Sequence, residues 1–287
     1  MAASKLGWRP LLREVIRSPK VEFVQCDVLT STGRKKILPL LKDVRTLVHL
    51  ERVWGGDQDH NEALDNEIAK NLCGSVEFIN LAYAFVEKVI FTSSTDVYGL
   101  QVNQPITEEN DPNPSSLYSV TKLSIENYLR LLSEAYKKSL IVLRVATIYG
   151  PYERSNKAIP NFVRAILANQ KPIVNGNGRT QRDFIFVRDV CKAIHLSILS
   201  DFKSQQLFNI STGKSYSLNQ VIRTINRILG KNLEPRHIIG RSSRNQASYV
   251  FDSAKSRLLL DFVPDFGLWE GLRAEISWFQ TSYKKEN

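Results

Sequence analysis

The chain has 287 residues, 43% hydrophobic and 24% charged, which is ordinary globular composition with room for one large domain or two joined ones. Its three cysteines, Cys26, Cys73 and Cys191, are too few and too far apart for a disulfide framework or a metal site, and no apolar run is long enough to cross a bilayer. Basic residues outnumber acidic ones by 39 to 29, a net +10, but they are dispersed, with only short clusters such as "GRKK" and "SYKK", which fits attraction of anionic small molecules better than nucleic-acid binding.

The opening "MAASKLGWRPLLREVIRSPK" has no continuous apolar stretch and makes a poor signal peptide, so a reducing, cytoplasmic setting is the default. "VEFVQCDVLT" (21–30) reads as a strand followed by a loop, and "RKKILPLLKDV" as a short helix. "RTLVHL" (45–50) reads as a buried strand of the parallel type. Residues 61–85 carry apolar positions at mostly helical spacing. "EKVIFTSS" (87–94) is a further apolar strand, "QPITEENDPNPSS" a polar proline-rich loop, and "SVTKLSIENYLRLLSEAYKK" an amphipathic helix. "SLIVLRVATIYG" (139–150) is the next buried strand. Apolar strands alternating with helices predict a doubly wound α/β fold, a parallel sheet covered on both faces. After Pro151 the texture changes to a helix (158–170), a glycine turn, a strand and another helix (171–199), a strand (205–212), a helix ending on Gly230, and a terminal helix beginning at Leu268. The expected division is a partial Rossmann-like NAD-binding domain over 1–150 and a smaller α/β, mainly substrate-binding part over 151–287.

Tyr118 and Lys122 lie four residues apart on the predicted helix, so they share a face. Ser94 ends a predicted strand, and in a doubly wound sheet the carboxyl ends of strands face the ligand crevice. A phenol with a reference pKa of about 10 is a poor base at neutral pH, and a neighbouring ammonium lowers that value. A serine hydroxyl can then hydrogen-bond the substrate oxygen that gains or loses a proton, which makes the three groups a general acid–base set.

With "FTSSTDVYG", "YSVTK", "LRVATIYGP", "IPNFV", "VNGNGRTQRDFIFVRDV" and "DFGLWEGLRAEISWF", the chain resembles the extended short-chain dehydrogenases, the NAD-dependent epimerase/dehydratase family that acts on nucleotide sugars. The likeness runs from about residue 21 almost to the C-terminus. It implies that Ser94, Tyr118 and Lys122 are catalytic, and that Tyr118 and Lys122 also contact NAD. It implies further that Asp27 lies near the adenine ring and that Asn71 orders the helix beside the cofactor. Thr147 and Arg182 would contact the substrate, with Arg182 on the nucleotide diphosphate. Arg241 would be a second arginine there, its spacing to "FDSAKS" one residue off. Asn156 to Pro160 would border the nucleotide base. No metal ligand set is implied, and a homodimer through paired long helices is.

The pattern also departs from the family. The glycine-rich strand-turn-helix that cradles a pyrophosphate has no counterpart among these glycines, so NAD binding is expected to be impaired. Glu51 and Arg52 stand where small residues usually follow "HL". Thr147 stands where many members have asparagine. Thr95 and Asp96 stand where dehydratases carry an Asp-Glu pair, which favours epimerase or reductase chemistry over dehydration. The sequence therefore reads as an NAD-dependent epimerase, or related oxidoreductase, of a nucleoside-diphosphate sugar. The alternative is a non-catalytic binding protein on the same scaffold that takes a sugar nucleotide or a nucleic acid.

Overall fold

The computed structural model describes residues 18–50, 64, 66–101, 103–153, 156–238 and 248–281. Two compact units emerge. The first holds the described residues of 1–101, 108–145 and 194–209, and the second those of 102–107, 146–193 and 210–287.

The first unit opens with helix α1 (Ser31–Ile37), which Thr30 caps by accepting from the Gly33 N–H. A 3-10 turn (Leu38–Asp43) follows, with proline in its first turn, where a missing N–H costs nothing. Then come strand β1 (Thr46–His49), a wide π-helical segment (Asn66–Gly74), helix α2 (Ser75–Tyr83) and strand β2 (Lys88–Ser94). Helix α3 (Leu117–Tyr136) starts on a reciprocal cap between Ser116 and Ser119 and stops at Lys137, which takes a left-handed conformation. Strand β3 (Ser139–Val145) is buried at every position. With β7 (Gln205–Ile210) these strands form one sheet in the order β1-β2-β3-β7, and β1, β2 and β3 run parallel. The core beneath it joins Ile79, Val86, Val89 and Phe91 to Ile125, Leu129, Leu140 and Val142. At about 1.5–3 kcal/mol per buried aliphatic or aromatic side chain, this cluster is what fixes α3 against β2 and β3.

The second unit carries strand β4 (Thr147–Tyr149), helix α4 (Ala158–Leu167), strand β5 (Ile173–Asn175), strand β6 (Gln181–Phe186) and helix α5 (Val187–Leu199), whose last residues belong to the first unit. Strand β8 (Ser215–Ser217), helix α6 (Leu218–Leu229), strand β9 (Arg236–Ile238), helix α7 (Ala254–Leu260) and helix α8 (Leu268–Thr281) complete it. β6 lies between β4, parallel, and β8, antiparallel. β5 pairs with β9. Its core gathers Tyr149, Phe162, Val163, Val221, Ile225, Leu272 and Phe279.

Three expectations change. The strand expected at 21–30 is absent: residues 21–27 have no regular structure, and Val21 and Phe23 are exposed. Its β-branched and apolar residues find no neighbouring strand among the described residues, and a strand's backbone groups need one. The strand expected over 139–150 is two strands in two sheets, breaking at Ala146, whose N–H donates to Ile210. The described part of the long helix expected over 61–85 is π-helical before it is α-helical.

Candidate active site

The last residue of β2 is Ser94, and it caps the 3-10 turn Thr95–Tyr98. Its Oγ accepts from the Asp96 N–H at 3.2 Å. That bond occupies a lone pair and leaves the hydroxyl proton for another acceptor. Two residues earlier, the Thr92 carbonyl accepts from Lys122 Nζ at 2.9 Å. The ammonium also lies 4.7 Å above the Phe91 ring, and the lysine as a whole is buried. A buried lysine is costly unless its charge is met, and here a strand-end carbonyl and an aromatic face meet it. Tyr118 sits one turn before Lys122 on the same face of α3 and is half-buried. Ser94 therefore ends β2 two residues beyond the carbonyl that holds Lys122, and Tyr118 lies one turn before that lysine on the same face of α3.

Other groups hold this corner in place. Glu126, one turn after Lys122, forms a buried ion pair with Arg144 of β3 at 2.8 Å. The Arg144 guanidinium lies 4.6 Å over the Tyr98 ring, and the Tyr98 hydroxyl donates to Asn209 at 2.7 Å. Burial, the larger effect, pushes the Tyr98 phenol up to about 12, so this tyrosine acts as a neutral strut. His49, the last residue of β1, is buried between the Phe78 and Phe91 rings. Neither of its ring nitrogens meets a partner among the described residues. Burial first, and the Lys122 charge second, hold its pKa down to about 4. It is therefore neutral beside Lys122 at neutral pH.

Asp27 is half-buried and makes a tight turn: its side chain accepts from the Leu29 N–H at 3.1 Å, and its carbonyl accepts from the Thr30 hydroxyl at 2.8 Å. A Cβ on Gly33 would lie 1.8 Å from the Asp27 carbonyl oxygen, so the turn requires glycine there. Asn71 is buried in the π-helical segment, and such segments often mark functional sites.

In the second unit, Arg182 is on β6, opposite Tyr216 of β8, with its guanidinium 5.7 Å over the Tyr249 ring. Its two acidic neighbours in sequence are engaged elsewhere. Asp183 accepts from the Thr212 and Gly213 backbone and the Thr212 hydroxyl, and Asp189 accepts from the Asp265 and Phe266 N–H groups. Among the described residues Arg182 makes no ion pair. Thr147 is exposed on β4, Asn156 is exposed ahead of α4, and Pro160 is buried in the first turn of α4. Arg241, and the Glu51–Arg52 pair, lie outside the described residues.

Sequence reasoning did not single out His49, Glu126 or Arg144. Each carried a signal: a histidine closing an apolar strand, a glutamate one turn beyond Lys122, and an arginine inside an otherwise apolar strand.

A family model for the NAD dependent epimerase/dehydratase family matches residues 7–211. The chain belongs to that family. Its curated relatives include a putative UDP-glucose 4-epimerase of Methanocaldococcus jannaschii, 28% identical over 92% of this chain and 86% of that protein. They also include the mouse dTDP-D-glucose 4,6-dehydratase, 25% identical over 95% of this chain and 78% of that protein. Among solved structures, the UDP-N-acetylglucosamine 4-epimerase of Methanobrevibacter ruminantium, in complex with UDP-N-acetylmuramic acid, superposes with a TM-score of 0.82 at 27% identity, covering 97% of this chain and 88% of that one. The UDP-glucose 4-epimerase of Thermotoga maritima, with UDP-glucose, gives 0.84 at 25% identity over 93% and 86%. The Rossmann-like reading of the fold thus has structural counterparts over nearly the whole chain. Among the described residues, no helix of this family member is long and apolar enough to cross a membrane.

Proposed function

We propose that the protein is an NAD-dependent epimerase of a nucleoside-diphosphate sugar, with Tyr118 as the acid–base group. The observation that carries the reading is the Lys122 ammonium, anchored on Thr92 beside Ser94 at the end of β2 and one turn from Tyr118. A buried ammonium, a serine hydroxyl and a half-exposed phenol are a donor set that fits the nicotinamide–ribose end of NAD. No glycine-rich turn of the phosphate-cradling kind occurs among the described residues, so no step below rests on the diphosphate end. Bound there, NAD would supply the acceptor, and then the donor, for the hydride exchanged at the sugar carbon.

The chain's own residues manage the proton. The Lys122 charge favours the Tyr118 phenolate. The phenolate takes the proton of a sugar hydroxyl as the C–H bond breaks, leaving a keto sugar. Ser94 donates a hydrogen bond to that oxygen throughout. Once the keto sugar has presented its other face to the returning hydride, Tyr118 would give the proton back to the same oxygen, leaving the sugar inverted with no net oxidation. Thr95, with a hydroxyl where an acid would be needed to expel water, fits epimerisation better than dehydration. Arg182 supplies a planar fork suited to phosphate oxygens, with Thr147 and the Asn156–Pro160 stretch as further substrate contacts. Asp27 and Asn71 are assigned to the cofactor side. The three free cysteines are in keeping with a cytoplasmic setting, and a homodimer is part of the same reading.

The test is direct. The purified chain is incubated with saturating NAD and UDP-glucose, UDP-glucuronic acid or dTDP-glucose, and the products are followed by proton NMR. An inverted sugar in one reaction supports the proposal. Full NAD occupancy with no turnover of any sugar nucleotide favours the binding-protein alternative.

A further inference from the structure

The second unit holds a pair of buried acids that the proposed chemistry does not use. Glu275, on α8, is wholly buried, and neither of its carboxyl oxygens meets a partner among the described residues. Glu153 closes the turn after β4, its N–H donating to the Gly150 carbonyl at 3.0 Å. One of its carboxyl oxygens is likewise buried without a partner among the described residues. The two carboxyls lie within electrostatic reach of each other.

The same turn is docked on α8 at two further points. A Cβ at Gly271 would lie 2.0 Å from the Tyr149 hydroxyl, so only glycine admits this approach. Tyr152 packs its ring 4.9 Å from Trp278. Gly271, Glu275 and Trp278 are spaced four and three apart, so they share one face of α8. The turn over 149–153 therefore meets that face at three successive levels, and the middle level is a pair of like-charged groups when ionised.

Two neighbouring buried carboxyls without donors or cations do not both ionise readily, and one of them keeps a proton. Burial, and then Glu153, hold the Glu275 carboxyl well above the usual range. Burial raises Glu153 to about 7, against the opposing Lys157 charge. Glu275 in turn acts on Tyr149 of β4, as do Asp189 from α5, Tyr216 from β8 and Glu270 from α8 itself. The acids among these add negative charge, and Asp189 is already held by two backbone N–H groups.

We propose that Glu153 and Glu275 form a proton-held clasp, which fastens the 149–153 turn to α8 while either carboxyl is protonated and releases it when both ionise. The turn leads within a few residues to Asn156 and Pro160. A released clasp would therefore loosen the proposed nucleotide wall, a consequence that rests on the nucleotide-sugar reading. The clasp itself does not rest on it.

Trp278 reports the clasp. The protein is labelled with 5-fluorotryptophan, the Trp278 line is identified by its loss in Trp278→Phe, and fluorine NMR is recorded from about pH 5.5 to about pH 9. The Trp278 line should move through one transition near neutrality. In Glu275→Gln the amide keeps a hydrogen-bonding group and removes the charge conflict, so the line should hold its acid position throughout. Glu153→Gln should do the same and decides the matter if Glu275→Gln does not fold. A line that does not move in the unaltered protein, or that moves with the same midpoint in both variants, overturns the clasp. A moving line with a pH-independent KM for the sugar nucleotide would overturn only the link to the substrate wall.

Discussion

Replacing Lys122 by methionine keeps the stem of the side chain and removes the ammonium. In the folded protein this deletes the bond to the Thr92 carbonyl and the charge over Phe91. A charged hydrogen bond contributes roughly 1.5–3 kcal/mol, but Lys122 is buried, so loss of its desolvation cost offsets much of that. The fold should therefore survive with a small change in melting temperature. The chemistry should not. Residues four apart on a helix have Cβ atoms about 5–6 Å apart. At about 6 Å and an effective dielectric of about 20, a unit charge is worth about 2.8 kcal/mol to the Tyr118 phenolate. That corresponds to about two pH units. Tyr118 is half-buried, and solvent screening reduces the figure to about one unit. The active form is the phenolate, so activity rises with pH through the phenol's pKa. Without the ammonium, the acid limb of the kcat/KM profile should move one to two units to the alkaline side. The assay is kcat/KM against pH for both proteins at saturating NAD, with melting curves alongside. A variant with lower activity and an unmoved acid limb would refute the electrostatic role given to Lys122.

Arg182→Ala should weaken UDP-sugar binding by one to two decades in calorimetry, the effect of a charge-assisted contact of about 1.5–3 kcal/mol; unchanged affinity would assign Arg182 to structure. Glu126→Ala strands the buried Arg144 charge and should cost about 3–5 kcal/mol in denaturant unfolding, whereas the double change Glu126→Leu with Arg144→Met should cost much less; equal losses would contradict the pair as described. His49 has its folded pKa lowered from 6.5 to about 4, so the unfolded chain binds more protons between those values. Stability should then rise with pH across that window, be fully present above about 6.5, and be lost below it by up to about 3 kcal/mol. His49→Phe should flatten that slope, and an unchanged slope would show that His49 does not govern acid stability.

Much of the fold was legible because β2 and β3 each carry an unbroken apolar run, 89–91 and 140–143, and the intervening helix is strongly patterned and capped. The strand end that carries Ser94 and the helix face shared by Tyr118 and Lys122 were legible for the same reason. Residues 21–30 misled because β-branched and apolar residues make a strand only beside a neighbour that pairs with it, and none lies there among the described residues. Ala146 hid the switch between sheets, because an apolar run looks the same on either side of it. Glu275 sat in plain view at an apolar position of the terminal helix, in the series Leu272, Glu275, Ile276 and Phe279, a spacing that marks a buried acid. What periodicity could not supply was the partner across the fold, as with Arg144 for Glu126 or the Phe rings around His49.

The most direct measurement is the interconversion of a UDP-hexose by this chain and by Tyr118→Phe, followed at saturating NAD by the NMR signal of the inverted carbon. Tyr118→Phe keeps the ring and its packing and removes only the group that moves the proton. General acid–base groups contribute about 10²–10⁴-fold, so the variant should lose activity on that scale while melting at nearly the same temperature and binding the sugar nucleotide nearly as well. Turnover within a few-fold of the unaltered protein would contradict the assignment of Tyr118, and with it the proposed mechanism.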